Sequence, residues 1–144
     1  MVEKAKSNVL GAYLCVKEVE AHRISALIQK EDVLATFVAN TIRSTRFGAA
    51  DPTGIANIAV YNYLVECGAI TRKASGRYDI DYGKTWTALE TLGAEILRIQ
   101  ALGDLIFARS YVQKYGVVTP GIEADIVSLE LEKIPVDIRF IYEK

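Results

Sequence analysis

One histidine in 144 residues is the feature of this sequence that excludes most. A catalytic zinc takes three protein ligands and keeps a fourth position open, and His22 alone falls short of that. Cys15 precedes it by seven residues, about 10 Å of rise on a continuous helix, too far for both to hold one ion. Glu18 and His22 lie one turn apart and make at most a weak chelating pair. A surface or half-buried histidine beside a carboxylate is the simpler reading. Any Ser–His or Cys–His nucleophile would also have to use His22, and no nucleophile elbow or oxyanion loop is marked.

Other scarcities narrow the field further. The two cysteines, Cys15 and Cys67, sit in helical patterns among apolar neighbours and read as reduced core thiols. No apolar run reaches the roughly 20 residues of a membrane span, and the opening MVEKAKSN has no apolar core of a signal peptide. A cytoplasmic protein is expected. A net charge of −1 provides no field to gather nucleic acid or an anionic membrane surface. The glycines are scattered as helix stops, without the spacing that cradles a phosphate.

What is present is helix. About half the residues are apolar and a quarter charged, the balance of a single domain with its own core over residues 1–144. Val9, Leu10, Tyr13, Leu14 and Val16 predict a first helix from Val2, with its continuation through EVEAHRISALIQK left open. A second spans Glu31 to Phe47 and stops at Gly48. Asp51-Pro52 then gives a helix start, a cap followed by a residue that needs no amide proton. This third helix runs to Cys67-Gly68, and Ile55, Ile58, Ala59, Leu64 and Val65 are expected on its buried face. The stretch AITRKASGRYDIDY reads as a hairpin turning at Ser75-Gly76. Further helices follow from Gly83 to Leu102 (stripe Trp86, Leu89, Leu92, Ile96, Leu97), from Asp104 to Tyr115, and from Thr119-Pro120 to Leu131. After Pro135, VDIRFIY alternates as a half-buried strand. The fold class is mainly α: a multi-helical domain with a small β-hairpin and a C-terminal strand.

Chemistry-bearing groups outside the histidine are few. Paired acids such as Glu31-Asp32 read as helix-start charges. Arg43 and Arg46, three apart on one helix face, could clamp a carboxylate or phosphate, although a solvated or salt-bridged face is the commoner arrangement. Tyr61 and Tyr63 flank Asn62 and are expected in packing.

The segments VEKAKSNVLGAYL, TIRSTRFGAADPTGIANIAVYNYLVECGAITR and IPVDIRFIYEK, in this order, resemble the dipeptidyl-peptidase III family of zinc metallopeptidases, in particular the C-terminal helical region of its bacterial members. The resemblance implies a helix-rich lobe beside a metal cleft. Zinc in the parent family is gripped by an H-E-x-x-G-H helix and by one of two adjacent glutamates on a later helix. This sequence has no such histidine motif, which would lie upstream of Met1. Glu3 keeps the first glutamate position, while Lys4 occupies that of the zinc ligand, and a protonated ammonium has no lone pair to give a dication. Thr53 stands where bacterial relatives have a histidine that serves substrate or transition state. Asn57 and Arg46-Phe47-Gly48 match.

These departures imply a non-catalytic, peptidase-derived domain with a structural or interaction role, and no cofactor of its own. The alternative is the C-terminal portion of a larger zinc-dependent hydrolase, active only in the full-length protein. A third reading is a peptide- or small-molecule-binding module using the old cleft. No catalytic residue is assigned; Glu3, Arg43, Arg46, Thr53, Asn57 and Tyr61 are the binding candidates. The implied partners are the N-terminal part of a larger protein or a peptide, with self-association through a free strand edge as an option; nucleic acid and membrane are not expected.

Overall fold

The computed structural model describes residues 2–135. In chain order these form α1 (Val2–Glu20), α2 (Lys30–Ser44), a 3₁₀ turn (Thr45–Phe47), α3 (Pro52–Glu66), β1 (Ile70–Arg72), β2 (Tyr78–Ile80), α4 (Tyr82–Leu102), α5 (Leu105–Tyr115) and α6 (Pro120–Leu131). The chain is mainly α, with one small antiparallel hairpin among the described residues. The strand expected after Pro135 lies outside them.

Helix boundaries follow the local chemistry. Asp51 accepts from Thr53 N and Pro52 occupies the first turn of α3. Asp81, Asp104 and Thr119 cap α4, α5 and α6 through their side chains. Gly103 ends α4 in the left-handed conformation at φ 62°. The hairpin pairs Ile70 with Ile80 and Arg72 with Tyr78, and Gly76 takes φ 78° in its turn.

The first helix does not continue to Lys30. It stops at Glu20, where His22 adopts φ 53° and the amides of Ala21, His22 and Arg23 bond back to Lys17, Val19 and Glu18. Arg23 closes the turn with two 2.6 Å hydrogen bonds to the Glu18 carboxylate. Glu18 is thereby engaged by a cation, and His22 is exposed. That removes the Glu18–His22 pair as a chelator.

Helix α3 is the central element, touching α1, α2, α4, α5 and the 3₁₀ turn. Its Ala56, Ile58, Ala59, Val60 and Leu64 are buried with Val9 and Val16 of α1, Leu34 and Val38 of α2, and Leu89, Leu92 and Ile96 of α4. A single apolar stripe does not describe a helix covered on several sides. Asn57, Tyr61 and Tyr63 are buried on it, Ile55 is only half-buried, and Val65 is exposed. On α4, Leu97 is likewise exposed and Trp86 half-buried, with Ala88 and Ile99 inside instead. Trp86 stacks on Tyr13 at 5.3 Å, and the Lys30 ammonium sits 4.0 Å from its ring centre. The expectation of core thiols is corrected too. Cys15 lies on the outer side of α1 and Cys67 at the C-cap of α3, and both are free and exposed.

Two glycines fix how α3 begins. Gly48 adopts φ 73°, ψ −179°, a region open essentially to glycine alone. A Cβ on Gly54 would lie 1.8 Å from the Gly48 carbonyl oxygen. The 3₁₀ turn and the first turn of α3 therefore touch backbone to backbone. Gly54→Ala is expected to destabilise the protein by at least about 3 kcal/mol, since a rigid backbone atom must move. Asp51→Ala, which removes only the cap, should cost about 1 kcal/mol. Urea unfolding of both variants measures the difference, and similar midpoints would show that the contact relaxes freely.

Candidate functional site

Thr53, Asn57 and Tyr61 fall four residues apart on α3 and so share one face. Asn57 is 2% exposed. Its amide nitrogen donates to Thr53 O at 2.9 Å, and its oxygen accepts from Asn8 Nδ2 at 2.9 Å. This buried amide pair sets the register of α1 on α3.

One turn further on, Tyr61 joins a chain of polar groups. Arg72 Nε of β1 donates to Asp125 Oδ1 of α6 at 2.8 Å, and the Tyr78 hydroxyl of β2 donates to Asp125 Oδ2. Because Tyr78 commits its proton to the carboxylate, Tyr61 must donate to the Tyr78 oxygen, 2.8 Å away. The two rings meet edge to face at 6.1 Å. Burial pushes both phenols up from their ordinary value; hydrogen bonding to Asp125 adds to the shift at Tyr78. The Asp125 hydrogen bond raises Arg72 in turn. Both carboxylate oxygens are occupied and neither phenol is near ionisation at neutral pH. The cluster joins hairpin, α3 and α6 and offers no ready acid or base.

The remaining candidates are placed elsewhere. Arg46 donates to the carbonyls of Ile134 and Pro135 at 2.7 and 3.1 Å, pinning the segment after α6 to the 3₁₀ turn. Arg43 lines a cavity of about 460 Å³ with Arg77, Tyr78, Asp125 and Ile134, next to the Tyr61 cluster. Glu3 is exposed at the start of α1, held by Lys6 at 2.8 Å and by the Gln100 amide. Lys6, and then Gln100, hold its carboxyl below the usual range. Lys4 beside it is exposed. The six candidates are thus not one site: Thr53, Asn57 and Tyr61 form a line, Arg43 borders it, and Arg46 and Glu3 have separate tasks. The sequence reading missed Asp125, the hub. An acid inside the apolar run ADIVSLEL was the signal for a buried, partnered carboxylate.

No group of three His, Cys, Asp or Glu side chains comes together among the described residues, and the one histidine is on an exposed turn. No helix among them is long and apolar enough to cross a membrane.

Comparison with known proteins agrees with this architecture. No family model matches the sequence. DPP III (dipeptidyl-peptidase III) from Caldithrix abyssi superposes on 95% of the chain with a TM-score of 0.86 at 29% identity. Dipeptidyl-peptidase III from Corallococcus sp. strain EGB covers 96% with a TM-score of 0.86 at 27% identity. The chain has a dipeptidyl-peptidase III-like fold. This DPP III-like chain is a peptidase-related domain and spans 26% and 25% of those two chains. A curated relative, Nudix hydrolase 3 of Arabidopsis thaliana, is 31% identical over 137 residues, which are 95% of this chain but 18% of that protein. Its name differs from that of the solved structures, and it describes a protein of which this chain matches less than a fifth.

The polar cluster makes two expectations. Asp125→Ala strands a guanidinium and a half-buried hydroxyl and should lower stability by roughly 2–3 kcal/mol, whereas Tyr78→Phe should cost about 1 kcal/mol. Equal, small losses in chemical denaturation would mean that the cluster is solvated. Burial also raises Tyr63, Tyr111 and Tyr115. For all five phenols the neutral form is favoured by folding. Their contribution is intact below the free phenol value of about 10 and is lost as pH rises through the raised folded values. Phenolate absorbance should therefore show a late group of tyrosines whose titration coincides with alkaline unfolding; uniform titration near pH 10 in the folded state would contradict this.

Proposed function

We propose that this DPP III-like chain is a non-catalytic, peptidase-derived single domain with a structural or interaction role, working in the cytoplasm. The observation that carries the reading is the internal engagement of Asn57 and Tyr61 on the α3 face. Asn57 and Tyr61, which the resemblance associates with the substrate side, are already engaged with Asn8, Thr53 and Tyr78. Side chains spent on internal partners hold the fold together and have little left to offer a substrate. The departures at Lys4 and Thr53 point the same way, since one puts an ammonium at the family's ligand position and the other removes an imidazole.

A second reading makes the chain part of a larger zinc-dependent dipeptidyl-peptidase-like hydrolase. It is favoured by the 26% coverage of the Caldithrix abyssi chain and by Glu3, an exposed carboxylate beside Lys4 at the start of α1. In that case the histidine ligands come from other residues of the longer protein, and the partner of this chain is that protein's N-terminal part.

The first measurement tests the non-catalytic reading on the chain alone, and the second separates the two readings. Purified chain equilibrated with zinc and desalted should retain far less than one equivalent by elemental analysis, and should release no dipeptide from a dipeptidyl arylamide. Lys4→Glu should leave both results unchanged, because one added carboxylate does not complete a three-ligand set. Stoichiometric zinc with metal-dependent cleavage would sink the non-catalytic reading. An immunoblot of the source cells showing a product well above 15.9 kDa and carrying an H-E-x-x-G-H helix would favour the second.

A further inference from the structure

The corner where α4 meets α5 carries more exposed apolar surface than a solvated helix end requires. Leu102 and Leu105 are each 69% exposed and Ile106 is 83% exposed. Beside them a groove of about 580 Å³ opens between the start of α1, the end of α4 and α5, walled by Val2, Ile99, Leu105, Ala108 and Val112. A groove of that volume can receive one or two large apolar side chains.

Charge on its rim selects among occupants. Glu3 is taken by Lys6 and Gln100. Asp104 is committed to capping α5, accepting from Phe107 N at 2.9 Å. Arg109 lines the same groove, is exposed, and has no hydrogen-bond or ion-pair partner among the described residues. The groove is thus apolar within and has one uncommitted positive charge at its edge, a guanidinium whose planar fork suits a carboxylate. An anionic lipid surface or a polyphosphate would meet the Glu3 and Asp104 carboxylates together with that single cation. A single carboxylate on a peptide can approach Arg109 from one side and avoid them.

The geometry points to a docking site for a polypeptide segment that places a large apolar side chain in this groove and a nearby Asp or Glu carboxylate on Arg109. The inference rests on the interaction role proposed above and names the chemistry of the partner. An amphipathic helix presenting Leu and Glu on one face has that arrangement.

The test uses the whole chain, isotope-labelled, titrated with the peptide acetyl-Ala-Leu-Leu-Glu-Ala-Leu-amide and with its Gln-for-Glu counterpart. Saturable amide shifts are expected at Val2 and Glu3 and across Asp104 to Gln113. The Glu peptide should bind about two- to fivefold more tightly, the range of an exposed charge pair. Arg109→Gln, a surface change that should leave the thermal midpoint in place, is expected to erase that preference while apolar binding remains. Absence of saturable shifts, shifts centred elsewhere, or a preference that survives Arg109→Gln would each overturn the proposal. So would concentration-dependent dimerisation that broadens the same amides without peptide, since a second copy would then be the occupant. Arg109 takes no part in zinc retention or dipeptide release, so those assays can fail independently of this one.

Discussion

The approach of Gly54 to the carbonyl of Gly48 is the closest that any glycine of the chain makes, and much else follows from it. Gly48 turns the chain in a conformation closed to other residues, and Gly54 leaves its Cβ position to a backbone oxygen. Together they fix where α3 starts and how it is rotated about its axis. That rotation decides which residues meet α1, α2 and α4, and directs Asn57 at Asn8 and Tyr61 at Tyr78. A different phase would send these polar groups into apolar neighbours, where an unpaired amide or hydroxyl is costly.

Around that axis the apolar core supplies the driving force and the polar contacts supply selectivity. Packing of Ile58, Leu64, Leu89 and Leu92 tolerates several arrangements of similar area. The Asn8–Asn57 pair and the Arg72–Asp125–Tyr78–Tyr61 chain do not, because each needs its partner at hydrogen-bond distance. The second of these binds three elements remote in sequence. It explains how a hairpin with only three paired residues on each strand holds its place: the hairpin's side chains are anchored on α3 and α6.

The engagement of Asn57 and Tyr61 bears on function. A reactive site keeps groups in reserve, such as an acid free to move a proton or a donor aimed at empty space. On the polar line of α3, Asn57 and Tyr61 are committed to internal partners. At the α4–α5 corner, by contrast, Leu102, Leu105 and Ile106 and the Arg109 guanidinium face solvent. Among the described residues this DPP III-like fold therefore joins a hydrogen-bonded interior network to an apolar groove at one corner.

Much of the helical architecture was legible in the residues. Asp51-Pro52 and Thr119-Pro120 marked starts, Gly68 and Gly103 marked stops, and Ser75-Gly76 marked the turn, because each acts on its own few backbone atoms. The end of α1 at Glu20 was not legible, since nothing in EVEAHR forbids helix and a turn closed by Arg23 on Glu18 decides it. The buried faces of α3 and α4, the exposure of both cysteines and the role of Asp125 also escaped. Sequence by itself determined most of the helix starts, the glycine stops and that the fold is mainly α. Tertiary structure alone decided which side of each helix is inside and which polar groups spend themselves on one another. Burial and hydrogen bonding of that kind depend on residues far apart in the chain, brought together here by the rotation of α3.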